Sequence, residues 1–354
     1  MAITLAQTGV DHGAICLNYV KVEKLIKNTA GKLSGVIAVD QLTGEQYTIN
    51  SKVIVNATGV FVDDIMGMDA PQTKKKVRPS QGVHLVVDAK FLGGNSALMI
   101  PKTKDGRVLF GVPWHNKVVL GTTDTPLDKA VMEPHALEEE INFILDQAGQ
   151  YLELKPTRAD VLSVFAGLRP LAAPTNSDSK KTKEISRNHK IYKSKSGLLT
   201  ITGGKWTTYR EMAEDAINQS IQIAGLAFKP CVTKNLKVHG YSQNVDMNKW
   251  DYVYGSDVSK INLLEKENSE YAELLLPDFT FTVAHVIWAV REEMAQSIED
   301  VLARRVRLLF LDARAAIKIA PKVASIMATE MQKDKNWENK QIKEFTELAH
   351  GYML

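Results

Sequence analysis

Cysteine is nearly missing: Cys16 and Cys231 are the only two in 354 residues. Two thiols make neither a disulfide framework nor a thiolate metal cage, so a reducing cytoplasmic setting is the expectation. An excess of one charge is missing too. Lys+Arg 44 against Asp+Glu 41 leaves +3, too balanced to imply a nucleic-acid partner. No apolar run approaches bilayer-spanning length, and Met1-Ala-Ile-Thr-Leu-Ala-Gln7 has no charged stretch leading into an apolar core. A soluble chain is expected, with a peripheral membrane contact left open. The 8 histidines show no ligand spacing, and Asp63-Asp64 alone is no site, so no metal is expected. Nor does the chain open with a strand and glycine-rich turn, as a doubly wound nucleotide domain does. There is no repeat and no low-complexity tract. What remains is ordinary globular composition, 44% hydrophobic and 24% charged, at a length that suits two or three domains.

Local patterns predict a mixed chain. Ile3 to His12 has helical spacing and stops at Gly13, and Ala14 to Tyr19 reads as a short strand. Leu33 to Asp40 and Gln46 to Ile49 alternate around Thr43-Gly44, a hairpin signal. Lys52 to Gly59 is a β-branched run that suits a parallel strand covered on both faces. Short strands recur at Gly82–Asp88, Ala97–Pro101, Arg107–Pro113 and Lys117–Gly121, and an antiparallel sheet is the natural reading. Glu133 to Tyr151 is an amphipathic helix with Pro134 in its first turn. Val161–Leu171 and Leu198–Thr202 return as strands around a polar, basic stretch, Ser177 to Lys195. A helix then runs from Gly203 to about Ala224, and Pro230 to Tyr241 reads as a linker. Beyond it the pattern is helical: Val258–Glu265, Val283–Glu293, Ile298–Phe310 and Ala313–Lys333, with Ser297-x-x-Asp300 as a capping box and Pro321 as a kink or restart.

The strand-to-helix junction Leu199-Thr-Ile-Thr-Gly-Gly-Lys-Trp-Thr-Thr-Tyr209 carries the most chemistry. Two glycines let the backbone approach a ligand, and the helix start offers free N–H groups to an anion or a delocalised negative ring. For a bare Gly-Gly-Lys, a plain turn with glycines for geometry is the favoured reading. The Thr58-Gly59 strand end is weak for the same reason and carries nothing alone.

Together the pieces resemble a family. Val53-Ile-Val-Asn-Ala-Thr-Gly59, Ser80-Gln-Gly-Val-His84, Gly121-Thr-Thr-Asp124, Phe165-Ala-Gly-Leu-Arg-Pro-Leu171, Ile185-Ser-Arg187 and Gly203-Gly-Lys-Trp-Thr-Thr-Tyr-Arg210 stand in the order of FAD-dependent glycerol-3-phosphate dehydrogenases. The tail, with Ile298-Glu-Asp-Val-Leu-Ala-Arg-Arg305 and Leu308-Leu-Phe-Leu-Asp-Ala-Arg314, is similar to that family's C-terminal domain. The resemblance implies an α+β chain. It comprises a partial FAD-binding Rossmann-like domain with an antiparallel substrate-binding sheet over about 77–200, and an all-α C-terminal domain; the division is 1–240 and 241–354. It also implies that about 100–150 residues carrying the pyrophosphate turn stand outside this chain.

The implied reaction oxidises sn-glycerol 3-phosphate to dihydroxyacetone phosphate with FAD and passes electrons to membrane quinone, at the cytoplasmic membrane face. Possible homo-oligomers follow, and no nucleic acid. A glycerol-3-phosphate oxidase using oxygen is one alternative, and an inactive fragment serving as a binding scaffold is another. Hydride transfer from a secondary alcohol needs a base, cations for the phosphate and stabilisation of reduced flavin. His84, Arg169 and Lys205 are the candidate catalytic residues; Arg187 and Arg169 would hold the phosphate. Thr58, Gly59, Gly203, Gly204, Lys205, Thr207 and Thr208 would meet the cofactor. The basic patches Lys74-Lys-Lys-Val-Arg78 and Arg304, Arg305, Arg307 read as a solvated loop and a helix facing its own domain.

Overall fold

The computed structural model describes residues 1–103, 106–173, 189–247 and 249–354. Helix α1 (Ala2–Asp11) leads into β1 (Val20–Lys27), β2 (Leu33–Asp40), β3 (Gln46–Asn50) and β4 (Ile54–Asn56). After α2 (Val62–Asp69) come β5 (Val77–Asp88), β6 (Leu98–Ile100), β7 (Leu109–Trp114), β8 (Lys117–Gly121) and β9 (Thr125–Pro126). Helix α3 (Glu138–Ala148) precedes β10 (Ser163–Ala172), β11 (His189–Lys193) and β12 (Leu198–Gly203), and α4 (Tyr209–Ile223) closes this part. The remainder holds α5 (Val258–Glu267), a hairpin of β13 (Leu274–Leu276) and β14 (Phe279–Thr282), then α6 (Val283–Glu292), α7 (Ile298–Leu302), α8 (Leu308–Leu311), α9 (Ala313–Met331) and α10 (Lys335–His350).

Three sheets organise the first part. β1, β2 and β3 form an antiparallel meander; β10-β5-β8-β7-β6 form a larger antiparallel sheet with β9 on β5; β11-β12-β4 form a small mixed one. The large sheet is two-faced because its strands alternate. Val83, Leu85 and Val87 of β5 pack with Ile141 and Ile144 of α3, and Leu109 and Leu120 complete that core. A separate core fills the helical part, where α9 buries Ala313, Ala316, Ile319, Ala320, Val323, Ala324 and Met327 at helical spacing. The two parts are tied along β10: Ala313 N donates to Leu162 O (3.1 Å), Val164 N to Tyr352 O (2.9 Å) and Ser163 Oγ to Leu309 O (2.8 Å).

Several expectations shift. Ala14–Tyr19 is not a strand; Ile15 is 88% exposed, and β1 begins only at Val20. β4 is parallel to β12 as expected, but it is short and edge-placed, with Val55 38% exposed rather than covered. Helix α3 starts after Leu137, leaving Pro134 outside it. The basic stretch before Lys195 contains β11, which pairs antiparallel with β12. The helix expected over Ile298–Phe310 is two, separated where Arg307 turns left-handed at φ 60. Both pieces bury apolar residues in the helical core, so an apolar pattern runs on through the break. Pro321 lies inside an unbroken α9, and α10 lies beyond the helices read from sequence.

Candidate active site

The antiparallel register of β10 on β5 sets Phe165 opposite His84, Gly167 opposite Gly82 and Arg169 opposite Ser80. On the other side of β5, Gly121 of β8 stands opposite His84. Alternation therefore gathers these residues on the face away from the α3 core, and its glycines leave that face nearly bare. Gly82 and Gly121 are required for room, whereas a Cβ on Gly167 would meet open space. A Cβ on Gly82 would come within 2.3 Å of Arg169 Nη2, and one on Gly121 within 2.4 Å of His84 Cδ2.

His84 stacks on Phe165 with ring centroids 5.2 Å apart and planes 20° apart. Burial, and secondarily the Arg169 charge, holds its pKa down at about 4, so the imidazole is neutral near pH 7. The Arg169 guanidinium donates through Nη1 to Gln81 O (3.2 Å) and through Nη2 to Thr122 Oγ1 (3.1 Å). Asp124 Oδ1 lies 3.5 Å from Nη1 and also accepts a short hydrogen bond from the Ser80 hydroxyl. A cation beside a neutral imidazole on a half-open face suits an anionic substrate with a proton to lose.

The second half of the site comes from the parallel pair β4 and β12, where Thr200 stands opposite Asn56. Parallel strands present their carboxyl ends to ligands. Both ends turn on left-handed glycines: Gly59 at φ 62, Gly203 at φ 77 and Gly204 at φ 78. Asn56, buried, holds the first turn. Its Nδ2 donates to Val62 O (2.9 Å) and Thr200 Oγ1 (3.3 Å), and its Oδ1 accepts from Thr58 Oγ1 (2.7 Å). The turn at Gly59–Phe61 lies against β5, β10 and β12, joining the two halves.

Past Gly204, the residues Lys205 to Thr208 are exposed at the start of α4. Thr208 makes no side-chain cap there; its hydroxyl donates back to Lys205 O (3.0 Å). The Thr202 hydroxyl is buried at the strand end with no hydrogen-bond partner among the described residues. An orphaned hydroxyl, Cβ-free turns and a helix start together fit a planar group with a polar, electron-rich edge. Arg187 lies outside the described residues.

The structure thus brings together His84, Arg169 and, through the Gly59 turn, the Thr58-Gly59 and Gly203–Thr208 ends. Sequence reasoning did not single out Gly82, Gly121, Phe165, Thr122 and Asn56. All five stand in quoted motifs, but only the folded strands show what they touch. A 960 Å³ cavity between α1 and the helical part, reaching Leu17, Met294 and Phe310, contains none of these candidates. Among the described residues, no cluster of His, Cys, Asp and Glu can hold a metal, and no helix is long and apolar enough to cross a membrane.

Known proteins share the sequence and the fold that carry this site. Residues 1–210 match the family described as FAD dependent oxidoreductase, and residues 199–338 match the C-terminal domain of alpha-glycerophosphate oxidase. A solved glycerol-3-phosphate dehydrogenase from Bacillus halodurans, complexed with FAD, superposes over 99% of this chain and 72% of its own, with TM-score 0.85 and 30% identity. The chain belongs to the FAD-dependent glycerol-3-phosphate dehydrogenase family. Among curated members, the mitochondrial enzyme of Schizosaccharomyces pombe is 37% identical over all of this chain and 63% of its own length. That of Arabidopsis thaliana is 38% identical over 99% of this chain and 60% of its own. The chain therefore spans less than two thirds of these two dehydrogenases. Its α+β architecture, with antiparallel sheets and a helical C-terminal region, is that of the family.

Proposed function

We propose that this chain serves the flavin-dependent oxidation of sn-glycerol 3-phosphate to dihydroxyacetone phosphate, dividing near residue 240 into an oxidoreductase unit and a helical unit. The observation that carries this reading is the His84–Arg169 pair on a glycine-flattened face, joined by the Gly59 turn to the ends of β4 and β12. FAD bound by Thr58, Gly59, Gly203, Gly204, Lys205, Thr207 and Thr208 would supply the acceptor for the hydride leaving C2.

The neutral His84 takes the C2 hydroxyl proton. Its depressed pKa makes it a weak base alone, but a phosphate dianion drawn to Arg169 offsets the positive charge and favours the imidazolium. Arg169 orients the substrate through its planar fork, which a lysine point charge cannot replace. Arg187 supports the phosphate, and Lys205, at the start of α4, stabilises negative charge on the flavin or the reacting oxygen.

A membrane quinone is the proposed acceptor, reached by peripheral contact with the membrane. The cytoplasmic membrane face is the proposed location, although the curated relatives carry mitochondrial in their names. Molecular oxygen is the second reading, supported by the oxidase description of the C-terminal family. Self-association stays part of the proposal.

The test is a visible spectrum of the purified chain after incubation with FAD and desalting. A retained flavin band, bleached anaerobically by glycerol 3-phosphate, supports the reading, and Arg169→Lys should slow bleaching at least ~10²-fold. No retained band, or bleaching by an amino acid but not by glycerol 3-phosphate, overturns it.

A further inference from the structure

Beneath the sheet that carries His84 and Arg169 lies a carboxylate with no role in the reading above. Glu140, 3% exposed, sits at the third position of α3. Its Oε1 accepts from Thr123 Oγ1 (2.7 Å) and Thr125 Oγ1 (2.6 Å); its Oε2 accepts from Gln81 Nε2 (2.7 Å) and Leu137 N (3.0 Å). No ion pair among the described residues involves it. A buried carboxylate is expensive unless its lone pairs are occupied, and these four donors match the four acceptor sites it has.

The donors belong to the segments that seat Arg169. From Thr122 to Thr125 the side chains alternate: Thr122 and Asp124 meet the guanidinium, Thr123 and Thr125 meet Glu140. Gln81 divides in the same way, its carbonyl accepting from Arg169 and its amide donating to Glu140. Thr123 also accepts from Val83 N (3.0 Å), beside His84. Only Leu137 N serves the helix itself.

We propose that Glu140 is a positioning residue, which clamps β5 to the Thr122–Thr125 segment from below and so fixes the Arg169 guanidinium above. A helix-capping carboxylate alone would need Leu137 N and nothing from Gln81, Thr123 or Thr125. The kinetic arm of the proposal rests on Arg169 and His84 being the reactive pair.

Glu140→Gln keeps the volume but forces an amide N–H on one pair of donors. The threonine hydroxyls can turn to accept it, but Thr123 already accepts from Val83 N. The expected results are altered Arg169 guanidinium signals in ¹⁵N NMR and a His84 titration moved upward from about 4 as the cation shifts away. Anaerobic flavin reduction should slow ~10²-fold in rate rather than in half-saturation. Glu138→Gln, on the exposed side of the same turn and paired with Arg158, should change none of these. A folded Glu140→Gln protein with wild-type Arg169 signals and His84 titration overturns the proposal, whatever its melting temperature. If that variant does not fold, Thr125→Val removes one clamp bond at constant shape and must move the same signals in the same direction; unmoved signals again overturn it. Normal flavin reduction in Arg169→Lys would instead sink the functional reading and leave the NMR arm standing.

Discussion

The guanidinium of Arg169 rests over the bare α-carbon of Gly82, so closely that a single methyl group there would stand 2.3 Å from Nη2. Gly82 does not take a left-handed backbone; space, not conformation, demands it. Arginine and glycine are in this sense one functional unit spread over two strands.

Gly82→Ala should therefore cost function and spare the fold, because the clashing atoms are the far end of a flexible side chain. The expected loss is ~10²-fold in the flavin-reduction rate. The melting temperature should move by less than about 4 °C, which corresponds to roughly 1 kcal/mol in a domain of this size. Parallel rate and melting measurements decide it. A large thermal shift with an unchanged rate would refute the account.

A second expectation concerns His239, whose Nδ1 meets Asp11 at 2.7 Å and whose Nε2 meets Asp257 at 2.8 Å. Burial works against the proton, yet the two carboxylates prevail and the pKa is raised above 6.5. Lys260 also pairs with Asp257, at 2.8 Å. The folded chain thus holds this proton more tightly than the unfolded one. The stabilisation is complete below 6.5 and is lost as pH rises through the folded value. Hydrogen exchange of α1 amides, corrected for intrinsic rates, should be better protected at pH 6 than at pH 9. In His239→Gln that difference should vanish.

Arg305 and Glu293 behave unequally although both side chains are 7% exposed. Arg305 serves Asp300 as well, through Nη1 at 3.4 Å and a bond to its carbonyl. Burial raises the Glu293 pKa to about 7, with Arg305 opposing, so that carboxyl is already half protonated at neutral pH. Arg305→Leu should destabilise the chain by about 3 kcal/mol, by removing the buried cation that Glu293 and Asp300 share, although Arg304 still pairs with Asp300. Glu293→Gln should cost about 1 kcal/mol or less. Denaturant titration of the two variants separates them, and equal losses would contradict the asymmetry.

His285 offers a fourth. It is 4% exposed, accepts from Thr282 N (3.0 Å) at the start of α6, and has a pKa held down to about 4 by burial. A depressed histidine stabilises the fold while neutral. That contribution is present above 6.5 and falls away as pH drops toward 4, by about 3 kcal/mol in all. His285→Gln should flatten the acid limb of the stability profile relative to wild type. An identical slope would rule this histidine out as its source.

What could be read from the chain alone follows the range of the forces involved. The short apolar, β-branched runs Gly82–Asp88 and Val161–Leu171 report two strands, because strand propensity is local to each segment. The glycine pair before Lys205 announces a turn, because φ is a property of one residue. Register is neither. Nothing in Ser80-Gln-Gly-Val-His84 says that Gly82 will lie beneath a side chain 87 positions later, so Arg169 and His84 were matched through family likeness. β11 was masked by its lysines, as an edge strand can be without penalty. In the sequence Glu140 is one of three adjacent acids, Glu138, Glu139 and Glu140, and the donors that single it out come from two other segments. The left-handed Arg307 stayed invisible because apolar spacing continues on both sides of it.

The two-faced sheet has a consequence for how substitutions in β5 sort. Odd-numbered positions Gln81, Val83 and Leu85 look down to α3, while even-numbered Ser80, Gly82 and His84 look up to Arg169 and Phe165. Tolerance to mutation should then oscillate with residue parity. On the proposed reading, Val83 and Leu85 govern whether the protein persists and the interleaved comb of positions governs whether it reacts. Gln81 is the one position that answers to both, since its carbonyl serves Arg169 and its amide serves Glu140.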